Sequence, residues 1–326
     1  MKAIVTGAAG FIGFHVCQAL LGRGDEVLGV DDLNPYYDPA LKQARLDRLA
    51  AHQAFRFHRL DISDVDAVGR LFSAERDTTH VVHLAAQAGV RYSLTNPYAY
   101  IHANVMGQLV MLEASRSLAD LKNFVYASSS SVYGGNTKLP FSVADRVDHP
   151  VSLYAATKRA GELIAECQTG LYDLPMIGLR FFTVYGPWGR PDMAYYMFTR
   201  AILDGQPIKL FNRGQMKRDF TYIDDVVAGV LAAVDRPPSR NGGSRSQKIY
   251  NLGNHRAEDL THFIEVLERA CGREAIKEFD EMQPGDVEAT YADIEESRRD
   301  LGFEPQITID EGLPRFVAWY RDYHGL

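Results

Sequence analysis

The sequence contains few cysteines and no long apolar run. Its three cysteines, Cys17, Cys167 and Cys271, are odd in number and far apart. They form neither a disulfide framework nor a set with metal-ligand spacing, so we expect a reducing compartment and no metal. No apolar run approaches the roughly 20 residues that a transmembrane helix needs, and the chain opens on a predicted strand without a signal pattern. We therefore expect a cytoplasmic protein that does not bind a membrane.

The sequence also lacks an excess of positive charge. It contains 35 lysines and arginines against 42 aspartates and glutamates, a formal net charge of −7. Proteins that bind nucleic acid usually have a basic excess, so this balance argues against such a partner. An anionic small ligand would need a local group of basic residues. With 326 residues, 46% of them hydrophobic, the chain is long enough for one large domain and a smaller companion.

Short β-branched segments alternate with amphipathic helical patterns in the first half of the chain. Strands are predicted at residues 3–6, 26–30, 56–59, 80–84, 123–127 and 176–180. Between them, apolar residues recur at helical spacing, for example in residues 13–21 and 67–75. This alternation predicts an α/β fold, a Rossmann-type doubly wound parallel sheet with helices on both faces.

After about residue 180, prolines and glycines divide the chain into shorter segments. A helix at 224–235 and a strand at 248–252 are predicted to return to the first sheet, and residues 237–247 are predicted to form an exposed loop. We therefore expect a Rossmann domain of residues 1–182 and about 220–253. Residues of about 183–219 and 254–326 would form a smaller α/β domain that binds the substrate.

A glycine-rich turn joins the first predicted strand to the first predicted helix. Thr6-Gly7-Ala8-Ala9-Gly10-Phe11-Ile12-Gly13 has the spacing GxxGxxG, which allows a tight turn and a close approach of the backbone to a pyrophosphate. Asp31 ends the second strand, where a carboxylate can accept from both adenosine ribose hydroxyls, and Asp32 could share this role. A 2′-phosphate would be repelled there, and no arginine follows directly. NAD is therefore favoured over NADP.

Further cofactor contacts are predicted at the ends of the next strands. Asp61 and Ile62 follow the third strand and are expected to meet the adenine ring, although Asp61 could equally be a helix N-cap. The end of the fourth strand adds Leu84, Ala85 and Ala86 to the predicted cofactor-binding residues.

A tyrosine and a lysine lie on one face of a predicted helix, in Tyr154-Ala155-Ala156-Thr157-Lys158. Oxidation of a secondary alcohol needs a base, and a free tyrosine with a pKa near 10 is too weakly acidic for this. A lysine at about 4 Å, at an effective dielectric constant of about 20, would favour the phenolate by roughly 4 kcal/mol. We therefore predict Tyr154 as the base and Lys158 as the charge that ionises it, both beside the cofactor.

A serine segment, Ala127-Ser128-Ser129-Ser130-Ser131-Val132-Tyr133-Gly134, follows the fifth predicted strand. Hydroxyls at the carboxyl end of a parallel sheet face the crevice where such sheets bind ligands. Ser129 is predicted to hydrogen-bond to the reacting hydroxyl and to direct its proton toward Tyr154.

These three motifs, in this order, resemble the extended short-chain dehydrogenase/reductase family across nearly the whole chain. Within it, the chain is similar to the UDP-glucuronate 4-epimerases in four segments: QAGVRY at 87–92, RFFTVYGPWGRPDMA at 180–194, MKRDFTYIDD at 216–225 and MQPGDV at 282–287. The resemblance implies an NAD-dependent isomerase that converts UDP-glucuronate to UDP-galacturonate through a transient 4-keto intermediate. It also implies a homodimer paired through helices at 97–116 and 152–172, with Asn104 near the cofactor.

The serine segment argues against two related reactions. Dehydratases of this family resemble one another in having Asp-Glu where this chain has Ser130-Ser131, and UDP-glucuronate decarboxylases have Glu at the second position. Hydroxyls of pKa far above 7 cannot replace these carboxylates. The alternatives that remain are a 4-epimerase of UDP-glucose or UDP-N-acetylglucosamine, and a non-catalytic NAD-sensing regulator on the same fold.

Substrate contacts follow from the chemistry of a UDP-uronic acid. A 4-keto uronic acid loses carbon dioxide easily, so an epimerase must hold its carboxylate with neutral donors and cations. Candidates are Ser129, Ser130, Ser131, Arg190, the resemblance-assigned Thr183, and Arg91, for which an exposed surface charge is an equal alternative. The resemblance also assigns Arg218 and Gln283 to the pyrophosphate and Asp286 to the uridine ribose. A salt bridge of Arg218 with Asp219 or Asp224 is the alternative for that arginine.

Overall fold

The computed structural model describes residues 1–239, 247–282 and 287–326. The strands are β1 (Lys2–Thr6), β2 (Glu26–Asp31), β3 (Phe55–Arg59), β4 (His80–His83), β5 (Asn123–Ser129), β6 (Met176–Phe181), β7 (Thr183–Tyr185), β8 (Pro207–Leu210), β9 (Lys217–Arg218), β10 (Phe220–Tyr222), β11 (Gln247–Leu252), β12 (Glu258–Asp259) and β13 (Ile276–Phe279). The α-helices are α1 (Phe11–Gly22), α2 (Pro39–Ala50), α3 (Val65–Ala74), α4 (Tyr92–Thr95), α5 (Pro97–Tyr100), α6 (Gly107–Ser115), α7 (Leu153–Tyr172), α8 (Ala194–Asp204), α9 (Ile223–Asp235), α10 (Leu260–Cys271), α11 (Glu295–Leu301) and α12 (Ile309–His324). Most of the predicted loop at 237–247 lies outside the described residues.

The central sheet contains seven parallel strands in the order β3-β2-β1-β4-β5-β6-β11. The chain runs outward from β1 to β3 and then returns to place β4 on the other side of β1. This reversal opens a crevice at the carboxyl ends of β1 and β4. Every predicted strand of this sheet is present with ends shifted by at most two residues, which confirms the Rossmann-type fold.

Helices cover both faces of the sheet, so its strands are buried on both sides. Successive residues of β1 point to opposite faces. Ala3 and Val5 pack with Phe14 of α1 in one core, whereas Ile4 packs with Phe72 of α3 in the other. This double burial explains the nearly continuous apolar runs that identify the strands in the sequence.

The remaining strands form three small pairs, β7 with β10, β8 with β13 and β9 with β12. Helices α8, α10 and α12 pack against one another beside them. The core on the α1 side continues into this part, because Phe263 and Phe316 belong to the same buried cluster as Ala3. None of the described helices is long and apolar enough to cross a membrane.

The helix predicted at 97–116 is not one continuous α-helix. α5 passes into a π-helical segment, Ile101–Met106, before α6 begins. Such segments are rare and occur often at functional sites. The helix predicted at 152–172 is α7, and the Ser152 hydroxyl caps it by accepting a hydrogen bond from the Ala155 backbone nitrogen at 3.1 Å.

Candidate active site

The glycine turn lies at the carboxyl end of β1 and leads into α1. Gly7 has a φ of +72°, and a β-carbon there would lie 2.8 Å from the Ala85 backbone nitrogen. A β-carbon on Gly13 would lie 2.0 Å from the Gly7 carbonyl oxygen. Neither position can accept a side chain, so the turn packs closely against the strand ends and presents bare backbone at the N-terminus of α1, as an anion requires.

A cleft runs from this turn along the carboxyl ends of the strands, and we call it the cofactor cleft. Its lining includes most of the predicted cofactor residues: Gly7, Gly10, Phe11, Ile12, Gly13, Asp31, Asp32, Leu84, Ala85, Ala86, Tyr154 and Lys158. Asp61 and Ile62 line an adjoining recess together with Asp31 and Asp32. The structure therefore brings the separate glycine, aspartate and tyrosine motifs of the sequence onto one surface.

Asp31 is fixed at the end of β2. Its carboxylate accepts hydrogen bonds from the backbone nitrogens of Leu33 at 2.9 Å and Ala9 at 3.1 Å, and Lys42 Nζ lies 3.8 Å away. Burial raises the pKa of Asp31, and the Lys42 charge opposes that rise. Asp32 instead accepts from the backbone nitrogen of Asn34 at 3.0 Å. Lys42 was not predicted from the sequence.

Asp61 does not cap helix α3. Its carboxylate accepts from the Ser63 backbone nitrogen at 2.9 Å and contacts His102 Nε2 at 3.0 Å. The cap of α3 is Asp64, whose Oδ1 accepts from the Ala67 backbone nitrogen at 2.9 Å. The N-cap alternative for Asp61 is therefore wrong, because the helix begins one turn later than that alternative required.

Asn104 lies behind the cofactor cleft and is not among its described lining residues. Its Oδ1 accepts from the Gln87 backbone nitrogen at 2.8 Å, and its Nδ2 donates to the Gln87 carbonyl at 3.0 Å and to Thr157 Oγ1 at 3.1 Å. Gln87 itself lines the cleft. The π-helical segment thus aims the Asn104 amide at the backbone of Gln87, and a direct contact of Asn104 with the cofactor stays a prediction.

A second cleft, which we call the substrate cleft, meets the first at the catalytic motif. Its lining includes Ser129, Ser130, Ser131, Tyr154, Thr183, Arg190 and Arg218. Ser129, Tyr154 and Arg190 line both clefts. Two predicted catalytic residues therefore lie at the junction of the two clefts, Ser129 at the end of β5 and Tyr154 in the first turn of α7. The third, Lys158, lines the cofactor cleft.

Burial and two neighbouring side chains act on the pKa of the Tyr154 phenol. Burial raises the pKa of Tyr154, and a hydrogen bond with Ser129 and the positive charge of Arg190 act to lower it. Lys158 Nζ donates to the Ala127 carbonyl at 3.0 Å, and burial lowers the pKa of Lys158 to about 8. Arg190 is therefore a positive charge that favours the Tyr154 phenolate, while the role expected of Lys158, which lines the same cleft, stays a prediction.

Arg190 is held by two residues that the sequence did not reveal. Its Nε donates to Asp192 Oδ1 at 3.0 Å, and its Nη2 donates to the other oxygen of the same carboxylate. Tyr36, from the segment after β2, donates its hydroxyl to Asp192 at 3.0 Å. The spacing Arg190-Pro191-Asp192 could have indicated the ion pair, but no local pattern links Tyr36 to it.

Arg218, which the resemblance assigns to the pyrophosphate, lies in the substrate cleft and contacts backbone carbonyls. Arg218 lines the substrate cleft, and its Nη1 donates to the carbonyls of Lys217 at 2.9 Å and Glu288 at 3.1 Å. Within the described parts of the chain, no ion pair joins Arg218 to Asp219 or Asp224, and Asp219 accepts instead from backbone nitrogens, including that of Asn254 at 2.6 Å. The alternative ion pairs for Arg218 are therefore not formed.

Arg91 is exposed and is not among the described residues lining either cleft. Its guanidinium lies over the Phe211 ring, 4.4 Å from the ring centroid. Arg91 follows Gly89 and Val90, which line the substrate cleft, and its contact with the substrate stays a prediction. Gln283 and Asp286 lie outside the described residues.

Comparisons with known proteins identify the family of this chain. The family model of the NAD dependent epimerase/dehydratase family matches residues 3–253. UDP-glucuronate 4-epimerase 4 of Arabidopsis thaliana is 48% identical over 334 residues, covering 99% of this chain and 76% of that protein. The structure of UDP-glucuronic acid 4-epimerase from Bacillus cereus in complex with UDP-glucuronic acid and NAD has a TM-score of 0.88 and 34% identity, covering 99% of this chain and 100% of that chain. UDP-glucose 4-epimerase from Thermotoga maritima with UDP-glucose also has a TM-score of 0.88, at 30% identity over 99% of this chain and 100% of that chain. This chain belongs to the NAD dependent epimerase/dehydratase family.

Proposed function

We propose that this protein is an NAD-dependent UDP-glucuronate 4-epimerase that interconverts UDP-glucuronate and UDP-galacturonate through a transient 4-keto sugar. One observation carries the proposal. The described lining of the substrate cleft contains two guanidinium groups, Arg190 and Arg218, together with serine and threonine hydroxyls, and contains no carboxylate. A UDP-uronic acid has two anionic parts, the 6-carboxylate and the diphosphate, and two cations in an otherwise neutral cleft match them.

The residues of the cofactor cleft fit NAD. The glycine turn leaves no space for a β-carbon at Gly7 or Gly13, and bare backbone at a helix N-terminus suits a pyrophosphate. Asp31 stands where a carboxylate accepts from an adenosine ribose. Held by these residues, NAD would supply the acceptor, and then the donor, of the hydride at C4 of the sugar. We expect NAD to remain bound between turnovers, as in an isomerase that consumes no redox cofactor.

Tyr154 is the base for the 4-hydroxyl group. It takes the proton of this hydroxyl as C4 is oxidised and returns a proton when the ketone is reduced on its other face. Ser129 hydrogen-bonds to the reacting oxygen and to Tyr154, which fixes the path of the proton. Arg190 favours the phenolate, since a positive charge beside a phenol stabilises its ionised form.

The remaining substrate residues keep the 4-keto intermediate from losing carbon dioxide. Ser129, Ser130, Ser131 and Thr183 offer neutral donors to the carboxylate, and Arg190 offers a charge-assisted one. The described part of the lining provides no acidic side chain for dehydration. We propose that Arg218 and Gln283 bind the diphosphate and that Asp286 binds the uridine ribose. The sugar is then free to turn, and residues of about 183–219 and 254–326 act as the nucleotide-sugar domain beside the NAD domain of 1–182 and about 220–253.

We also propose a homodimer that works in the cytosol and needs no metal. The dimer would pair through α5, the π-helical segment, α6 and α7, whose exposed apolar side chains include Ile101, Met106, Leu109 and Leu163. Exposed apolar residues on neighbouring helices favour association with a second copy. The cysteines are unpaired, Cys17 and Cys271 buried and Cys167 exposed, which suits a reducing compartment.

The test is to incubate the purified protein with UDP-glucuronate, without added NAD and with a metal chelator, and to follow the sugar by proton NMR. UDP-galacturonate without carbon dioxide is the expected product. Products of the UDP-xylose type would show decarboxylation and contradict the proposal. Parallel reactions with UDP-glucose and UDP-N-acetylglucosamine test the other epimerases, and a lack of turnover on all three substrates would favour a regulator.

A further inference from the structure

Arg45 of helix α2 is a completely buried cation, with 0% of its surface exposed. It lies in the buried stripe of α2 that contains Leu41 and Leu49. Among the residues that the structure describes, no carboxylate lies within ion-pairing distance of its guanidinium. A buried charge without a counter-ion is costly and is retained only when surrounding dipoles or a ligand compensate for it.

The hydrogen bonds of Arg45 join two segments that lie far apart in the sequence. Nη1 donates to the carbonyl of Ala9, inside the glycine turn, at 2.7 Å. Nη2 donates to the carbonyls of Trp188 at 2.6 Å and Gly189 at 3.2 Å, immediately before Arg190. Because the guanidinium is planar and rigid, one side chain fixes the distance between the cofactor turn and the segment that carries Arg190.

The segment before Arg190 depends on this contact. Trp188 has a φ of +61°, a left-handed conformation that bulky residues rarely adopt. Its ring packs against Phe14 of α1 and Trp319 of α12, with ring centroids 5.6 Å and 5.3 Å apart. His15 adds a hydrogen bond from Nε2 to the Pro187 carbonyl at 3.0 Å. The position of Arg190 is therefore set by contacts with α1, α2 and α12 and not by its own segment alone.

We propose that Arg45 is a positioning residue that couples the two clefts. It holds the glycine turn and the Arg190 segment in one arrangement. Its buried charge, stabilised by carbonyl dipoles and by the hydroxyl and ring of Tyr37, favours an anionic pyrophosphate on the turn beside it. This inference rests on the proposed function for the identity of the sugar nucleotide, but not for the effect on the dinucleotide. Because Arg45 contacts both segments, replacing it reduces affinity in both clefts. Reciprocal coupling then means that the two ligands favour each other's binding.

The first test compares Arg45→Met and Arg45→Lys. After gel filtration, the dinucleotide released from each denatured protein is quantified, and KM and kcat are measured with UDP-glucuronate. We expect Arg45→Met to retain about tenfold less dinucleotide and to raise KM about tenfold, with kcat changed less than about threefold. Arg45→Lys keeps the charge but not the planar fork, so it should retain more dinucleotide than Arg45→Met and still raise KM.

Arg321→Met is the matched control, because Arg321 also donates to a backbone carbonyl, that of Cys271 at 2.8 Å, in α12 away from both clefts. It should lower the melting temperature with unchanged dinucleotide content and KM. If Arg45→Met does the same, Arg45 is merely structural and the inference is wrong. If Arg45→Met does not fold, Arg45→Lys decides: an unchanged KM and dinucleotide content would overturn the inference.

A double variant tests whether Arg45 acts through Arg190. Arg45→Lys should raise KM in the native protein but add nothing when Arg190→Ala is already present, because neighbouring residues that act as one unit are not additive. Additive effects on KM would contradict the coupling. Dinucleotide retention is measured without any sugar nucleotide, so a loss of retention in Arg45→Met supports the cofactor half of the inference even if the native protein fails to epimerise UDP-glucuronate.

Discussion

Tyr154 must give up a proton in a site whose burial raises the pKa of its phenol. Arg190 opposes this rise, and it also lines the substrate cleft. We expect Arg190→Ala to weaken the binding of UDP-glucuronate by an order of magnitude or more, since a charge-assisted contact to the carboxylate is lost. Isothermal titration with the Tyr154→Phe protein, which binds without turnover, measures the affinity directly. An unchanged affinity would remove Arg190 from the site.

The same residue should change the pH dependence of turnover. Removing a positive charge beside a phenol raises the pKa of the phenol, so the reactive phenolate forms only at higher pH. The acidic limb of the kcat profile is therefore expected to move to higher pH in Arg190→Ala and to stay close to its native position in Arg190→Lys. As a control, Asp148→Ala removes the partner of Arg146 in an exposed Arg-x-Asp pair that is not among the described lining of either cleft. This control should leave the acidic limb of the kcat profile at its native pH. A shift of that limb to lower pH in Arg190→Ala would contradict the role assigned to Arg190.

Single residues were predictable from the sequence where their chemistry depends on neighbours in the chain. The glycine turn, Tyr154 with Lys158, and Ser129 all lie within short segments of fixed geometry. The partners of Arg190 were not predictable in the same way, because Tyr36 lies 156 residues from Asp192 in the sequence. One feature of the sequence does indicate Arg45: a charged residue inside the apolar stripe of an amphipathic helix is typical of a buried cation.

At the scale of elements, the π-helical segment between α5 and α6 turns Asn104 toward Gln87 and Thr157. We expect Asn104→Ala to lower the free energy of unfolding by about 1–3 kcal/mol, since it leaves the buried polar groups of Gln87 unpaired. It should also reduce dinucleotide retention, because Gln87 lines the cofactor cleft. Urea denaturation and dinucleotide content measure the two effects.

Asn136→Ala provides the control for this prediction. Its side chain also donates to a backbone carbonyl, that of Arg146 at 2.9 Å, but at an exposed site. Its unfolding free energy should change by less than about 0.5 kcal/mol. Equal stability of the two variants would show that the amide of Asn104 is not needed to hold Gln87.

Helices and strands could be predicted from the sequence where burial of their faces gives the apolar residues a regular spacing. The parallel strands are buried on both faces and appear as short apolar runs, so their ends were located to within two residues. The π-helical segment was not visible, because one extra residue per turn shifts the apolar period too little to be distinguished over six residues. The start of α3 was ambiguous for a related reason, since Asp61 and Asp64 are both plausible caps and only Asp64 is used.

At the scale of the whole molecule, the exposed apolar residues of α6 and α7 predict pairing with a second copy. Leu163 is 53% exposed in the middle of α7. We expect Leu163→Glu to yield a monomer in analytical ultracentrifugation, because a charge buried at an apolar interface has no partner there. Met197→Glu, at a site 44% exposed on α8, should leave the assembly unchanged. A native protein that sediments as a monomer would contradict the proposed homodimer.

The two clefts have different linings and meet at Ser129, Tyr154 and Arg190. A sugar nucleotide can therefore exchange on one side while the dinucleotide stays in place on the other. An isomerase of this kind takes a hydride from its substrate and returns it to the same molecule. Its turnover therefore consumes neither free NAD nor free NADH. Its rate in the cell should then follow the supply of sugar nucleotide and remain indifferent to the ratio of NAD to NADH.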